Sequence, residues 1–269
     1  MQQQHKIETI ALPGGRADVF LQRFVLPDEA EGLRPPVIIC PGGGYFVIGT
    51  SEGEPVARRF IAAGYAPFIL HYSIAKSARF DRGAHPPLLA VQDLGEAAAC
   101  VLARAEEWGL DAERLVLAGF SAGGHVTATY IGESISALPS LPLPAAALLV
   151  YPLIRQNPLH VRHPGESPDA DDVRGLQSYY MFGLEGPSDE DLAVFDAAHR
   201  VATGWPPTFL YHSRDDQMVP FESSERLDAV LTQHGVPHVF HAADEGIHAH
   251  PFEHDEWWQP FIDWLGSTL

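Results

Sequence analysis

The sequence predicts an α/β protein with a mostly parallel central sheet and helices packed on both faces. Three observations lead there. Short apolar runs of strand length alternate with helical patterns along the chain. The runs are apolar throughout, the mark of strands buried on both faces. Glycines close several of the helical patterns before the next run begins, and such strand–helix alternation builds a parallel sheet.

The first apolar run, 37–40, ends at Pro41-Gly42-Gly43-Gly44. The helical pattern of 54–63 has Pro55 in its first turn, Val56, Phe60 and Ile61 as its stripe and Gly64 as its stop. Residues 66–72 read as the next strand. A helix then runs through Leu94, Ala98, Val101, Leu102, Ala105 and Trp108 to a stop at Gly109. Residues 115–119 form a strand that runs straight into Phe120-Ser121-Ala122-Gly123-Gly124, and a helix carrying Val126 and Tyr130 follows. Further strands are expected at 145–151, 208–212 and 236–242. Between the last two lies a helix with Leu227, Val230 and Leu231 inward and Gly235 as its stop. A final helix gathers Trp257, Phe261, Trp264 and Leu265 on one face.

With 269 residues, no internal repeat and no linker, the chain reads as one domain over 1–269. Residues 155–188 break the alternation. They are rich in Pro, Gly, Asp and His, and a long irregular segment in a compact domain usually serves function, here as a lid or insertion. The formal net charge of -18 repels phosphate backbones and anionic lipid surfaces, which argues against nucleic acid and membrane partners. No apolar stretch suits a signal peptide or a transmembrane helix, so a cytoplasmic protein is the expectation. Cys40 and Cys100 both sit in apolar runs and read as small buried hydrophobes.

The chemistry centres on Gly119-Phe120-Ser121-Ala122-Gly123, a G-x-S-x-G between a strand and a helix. That context makes a nucleophile elbow, a sharp turn that exposes a serine at a strand's C-terminal end. A serine hydroxyl needs a base, and the base needs an orienting carboxylate. Both are available downstream on the same sheet edge. The strand at 208–212 ends in a loop carrying Asp215 and Asp216, and Gly246-Ile247-His248 follows the last strand. His241, His250 and His254 are rivals to His248, which is preferred because it follows a strand, the acidic turn Asp244-Glu245 and Gly246. A zinc reading of His248, His250 and His254 lacks the usual ligand spacing, so no metal or cofactor is expected. Acyl transfer also needs donors for an oxyanion. The three glycines after Pro41 can turn backbone N–H groups toward a ligand, and the Ala122 N–H follows the nucleophile directly. No Lys-Ser/Thr follows those glycines, so they are not a phosphate-binding P-loop.

Together PGGGY at 41–45, SEGEPVARRFIAAGY at 51–65, GFSAGGH at 119–125, and SRDDQMVP at 213–220 with the later GIH resemble one esterase family. It includes the bacterial acetyl-xylan-esterase-like and feruloyl-esterase-like α/β hydrolases, and the resemblance runs from about residue 36 to 264. The chain is also similar to hormone-sensitive-lipase-type esterases, whose oxyanion loop reads HGGG. Pro41 stands where those have histidine and points to the first group. The resemblance implies Ser121, Asp216 and His248 as triad, with Gly43, Gly44 and Ala122 as oxyanion donors. It implies hydrolysis of short-chain carboxylic esters, acetyl esters and acetylated sugars included, by a small-molecule serine esterase without cofactor. Homo-oligomers are common in such families, which leaves room for a dimer or tetramer. Asp216 is favoured over Asp215 because D-x-x-V-P, here 216–220, matches the family pattern. The alternatives are a serine exopeptidase-like hydrolase and a non-catalytic binding protein on the same fold.

Overall fold

The computed structural model describes residues 5–16, 18–26, 32–74, 86–137, 140–155 and 195–269. Six strands run parallel. In chain order they are β3 (Pro36–Cys40), β4 (Ala66–His71), β5 (Val116–Phe120), β6 (Ala146–Val150), β7 (Thr208–Ser213) and β8 (His238–Ala243). Two antiparallel strands extend the sheet at one side, β1 (Lys6–Ala11) and β2 (Phe20–Val25), giving the order β1-β2-β4-β3-β5-β6-β7-β8. Neither was expected from the sequence. Lys6–Ala11, KIETIA, mixes polar and apolar residues and is mostly exposed, so it lacks the continuous apolar run that marks the inner strands. Those inner strands β3, β5 and β6 are buried along their whole length.

Successive side chains of the strands feed two cores. Ile38, Leu117, Leu149 and Leu210 join helices α2 (Pro86–Ala103), α4 (Ala122–Ser136) and α5 (Glu222–Gln233) through Leu94, Val126 and Leu227. Val37, Ile39, Val116, Leu148 and Phe209 join α1 (Glu54–Ala62) and α6 (Trp258–Thr268) through Phe60 and Phe261. This is the period-2 alternation of a strand covered on both faces. The helix expected to reach Trp108 breaks at Arg104, whose N–H bonds the Val101 carbonyl three residues back; α3 (Ala105–Trp108) is a separate turn, closed by Gly109 at φ 63°. Cys40 and Cys100 are buried free thiols, as expected.

The register β3–β5–β6–β7–β8 brings the C-terminal ends of all five strands to one edge. The loops that follow Cys40, Phe120, Val150, Ser213 and Ala243 therefore meet, the place where open α/β sheets carry their ligands. Apart from Arg155, the segment 155–188 lies outside the described residues. Among the described residues, no helix is long and apolar enough to cross a membrane.

Candidate active site

β5 passes into α4 through Ser121, whose φ of 51° and ψ of -118° lie outside the regions a side chain prefers. Such a conformation costs about 1–3 kcal/mol and persists only where neighbours hold it. Here the Ser121 N–H donates to the Val150 carbonyl at 3.1 Å, and its own carbonyl accepts the N–H groups of Leu153 at 3.0 Å and His125 at 3.2 Å. The turn also requires close approach. A Cβ on Gly119 would stand 2.5 Å from Thr127 Oγ1, and one on Gly123 would fall on the Cys40 carbonyl. These are the two glycines of the G-x-S-x-G pattern, so the pattern is a packing requirement.

The structure brings Ser121, His248 and Asp216 together. Ser121 Oγ lies 2.9 Å from His248 Nε2, and Asp216 Oδ2 lies 2.7 Å from His248 Nδ1. A carboxylate can only accept, so Nδ1 carries the proton and Nε2 is free to accept the serine hydroxyl proton. Asp216 is fully fixed. Its Oδ1 accepts the N–H groups of Met218 and Val219 at 2.8 and 2.9 Å, and its Oδ2 also accepts from His212 Nε2 at 3.2 Å. Burial alone would raise this carboxyl, but the hydrogen bonds from His212 and His248 outweigh it and hold the group well below the usual carboxylate range. His212 completes the set by taking a hydrogen bond from Ser224 Oγ at 2.8 Å on Nδ1. Asp215 plays another part, accepting the Gly246 N–H at 2.9 Å and so tying the acid loop to the histidine loop.

On the other side of Ser121 stands the loop 41–53. Gly43 and Gly44 line one cavity with Ser121 and His248. The N–H of Ala122 sits in the first turn of α4, where no intrahelical acceptor exists. The loop is held at many points. Tyr72 Oη donates to the Pro41 carbonyl at 2.6 Å, Gly49 N–H donates to the Gly42 carbonyl at 2.8 Å, and Ser51 Oγ donates to the Ala249 carbonyl at 2.6 Å. Two further side chains were not singled out in the sequence. His125, buried in α4, accepts the Tyr45 hydroxyl proton on Nδ1 at 2.7 Å and donates from Nε2 to the Phe195 carbonyl at 2.8 Å. Burial lowers its pKa to about 4, so it stays neutral. Glu52, 1% exposed, accepts the Gly42 N–H on Oε2 at 2.6 Å. Burial raises its pKa against the opposing pull of Tyr151, Gly42, His248 and His250. No spacing rule would have found either residue; each sits inside a quoted motif, His125 in GFSAGGH and Glu52 in SEGEPVA.

The cavity has a volume of about 620 Å³. Its lining mixes the apolar Phe46, Met218 and Ile247 with the polar Asp215 and Gln217. Neither His241 nor His250 is among the residues lining this cavity. His241 is on β8, with its ring centroid 6.4 Å from that of Phe209, and His250 is exposed. Among the described residues, no group of three or more His, Cys, Asp or Glu could hold a metal ion.

A mostly parallel eight-stranded sheet, with a serine on a strained strand–helix turn at its C-terminal edge, is the fold of an α/β hydrolase. Comparison with known proteins gives the same class. The BD-FAE family model matches residues 23–134. The chain is 27% identical over 241 residues to endo-1,4-beta-xylanase B of Butyrivibrio fibrisolvens, covering 87% of this chain and 35% of that protein. It is 25% identical over 198 residues to the acetylxylan esterase of Xylanibacter ruminicola, covering 72% and 36%. The crystal structure of a carboxylesterase from Lactobacillus plantarum superposes with a TM-score of 0.75 at 26% identity, covering 99% of this chain and 98% of that one. The chain spans between about a third and just over half the length of the curated relatives it matches. The likeness to the Lactobacillus plantarum carboxylesterase runs along nearly the whole of both chains.

Proposed function

We propose that this chain is a serine esterase that hydrolyses short-chain carboxylic esters, acetylated sugars among them, through an acyl-enzyme on Ser121. The observation that carries this reading is the continuous path Ser121 Oγ–His248–Asp216, with steps of 2.9 and 2.7 Å, opening on the cavity lined by Gly43 and Gly44. In this reading Ser121 Oγ attacks the ester carbonyl carbon as its proton passes to His248 Nε2. Ionised Asp216 holds the imidazole by Nδ1 and stabilises the imidazolium. The carbonyl oxygen, now negative, receives the backbone N–H groups of Gly43, Gly44 and Ala122, aided by the positive N-terminal end of α4. Collapse of the tetrahedral intermediate breaks the bond to the alcohol, which leaves with the proton from His248. Water then repeats the sequence and frees Ser121 and the acid.

The substrate class rests on the motif resemblance and on the similarity to a xylanase and an acetylxylan esterase. The cavity volume supports it, since about 620 Å³ admits an alcohol portion of sugar size beside a small acyl group. The test is kinetic. A fluorophosphonate should label wild-type chain once and leave Ser121→Ala unlabelled. On p-nitrophenyl esters, acetyl and propionyl should exceed octanoyl in kcat/KM, and acetylated xylose should release acetate. Labelling of Ser121→Ala would remove the nucleophile assignment, and a rate rising steadily with acyl length would remove the substrate class.

A further inference from the structure

Glu52 is a buried carboxyl group that the triad does not use. It lies just ahead of α1, ten residues from the Gly42 whose N–H it accepts, and it lines the same cavity as Ser121. The contact is tight on every side. A Cβ on Gly42 would stand 2.7 Å from Glu52 Oε2 and 2.8 Å from Ser121 Cβ, and a Cβ on Gly49 would stand 2.8 Å from the same carboxyl oxygen. Glycine at 42 and 49 thus makes room for this side chain between the loop and the serine. Both polar groups of Gly42 are then fixed, the N–H by Glu52 and the carbonyl by the Gly49 N–H at 2.8 Å. The Gly43 carbonyl, next along, accepts the N–H groups of Phe46 and Val47. The chain carrying the Gly43 and Gly44 N–H groups is therefore clamped from its first residue. The other carboxyl oxygen, Oε1, is buried with no hydrogen-bond partner among the described residues, and so is the Tyr151 hydroxyl. The two groups are near enough for each to perturb the ionisation of the other. Tyr151 is itself held at φ 36°, and its ring centroid lies 4.5 Å from that of His248.

We infer that Glu52 is a positioning residue of the hydrolytic site, whose carboxyl group fixes the Gly42 peptide and through it aims the Gly43 and Gly44 N–H groups at the oxyanion. The inference rests on the serine-esterase reading above. A buried acceptor next to a site that builds negative charge is tolerable because its own oxygens are turned onto Gly42 and toward Tyr151, and the oxyanion meets N–H groups. Removing the acceptor leaves a buried N–H unpaired and lets the Gly42 peptide turn. Misplacing oxyanion donors lowers kcat by about 10²–10³ while leaving ground-state binding alone.

The experiment compares Glu52→Ala and Glu52→Gln with wild type and Ser121→Ala, using p-nitrophenyl acetate turnover, fluorophosphonate labelling rate and circular dichroism. Glutamine keeps an oxygen able to accept the Gly42 N–H. Glu52→Ala should lose about a hundredfold in kcat with KM within threefold, and its labelling rate should fall in parallel. Glu52→Gln should recover kcat to within about tenfold of wild type. A folded Glu52→Ala with wild-type kcat overturns the inference. So does a folded Glu52→Gln as slow as the alanine variant, and that arm decides alone if Glu52→Ala does not fold. Ser121→Ala separates the two levels. If it still turns over ester, the serine reading itself is wrong; if it is dead while both Glu52 variants are fully active, only the positioning role is lost.

Discussion

Two histidines flank Ser121, and their surroundings give them opposite properties. His248 reaches the serine from the loop after β8 and backs onto Asp216, a carboxylate held ionised by the hydrogen bonds around it. His125 lies one turn along α4 and backs onto a carbonyl, with the Tyr45 hydroxyl on its other nitrogen. The charged groups nearest it, Arg200 and Asp196, oppose each other, and burial keeps its ring neutral down to about pH 4. A carboxylate partner prepares one imidazole to take a positive charge. A carbonyl partner commits the other to bridging the loop 41–53, α4 and Phe195. On the proposed reading, the side of Ser121 facing β7 and β8 serves proton transfer, and the side facing β3 holds neutral donors in place.

The largest effect expected from this division concerns the acid. Asp216→Asn should keep the fold but present the wrong proton to His248, at a cost of about 10⁴ in kcat. Asp215→Asn removes only the acceptor for the Gly246 N–H and should stay within about tenfold of wild type. Paired kcat measurements with circular dichroism decide this. A dead Asp215→Asn beside an active Asp216→Asn would mean that the proton-transfer side has been assigned one residue out of place.

The placement side should register in stability instead. In the folded chain His125 stays neutral to about pH 4, against an ordinary value of 6.5. Between those values the unfolded chain binds more protons, so stability falls as pH falls through the window. Below about pH 4 both forms are protonated and this contribution is gone. The shift corresponds to about 3 kcal/mol. Urea unfolding at pH 7 and 4.5 should show wild type losing more stability than His125→Gln, which does not titrate there. Equal losses would mean that His125 is not held neutral. Glu52, with a raised pKa, works in the opposite direction and softens the net acid loss in both proteins.

The smallest effect belongs to Tyr45. Tyr45→Phe keeps the buried ring and removes only the donor to His125 Nδ1. It should cost about 1 kcal/mol of stability, with kcat within a few-fold of wild type and KM unchanged. A kcat loss as large as that of Asp216→Asn would erase the distinction between the two sides.

The inner strands were legible in the sequence because burial on both faces leaves continuous apolar runs, as in Pro36–Cys40 and Ala146–Val150. The elbow was legible for a local reason too: strand, turn and helix are contiguous, and the glycines at 119 and 123 answer clashes with Thr127, in the helix that follows, and with Cys40, at the end of the adjacent strand. The order of serine, acid and histidine followed from where strands end. Tertiary structure decided what local pattern cannot carry. The edge strand β1 and its neighbour β2 are paired by a sheet they do not themselves specify, since neither carries a continuous apolar run: Lys6–Ala11 is mostly exposed, and Gln22 and Arg23 interrupt Phe20–Val25. Asp216 was favoured over Asp215 by the D-x-x-V-P resemblance alone; the physical reason that it faces His248 is which way two adjacent side chains leave a turn, and the fold sets that. Glu52 and His125 look in the sequence like an ordinary acid before a helix and an ordinary histidine within one. Burial between elements distant along the chain leaves each a single hydrogen-bonding role, because a polar group out of water must take the partner the fold provides.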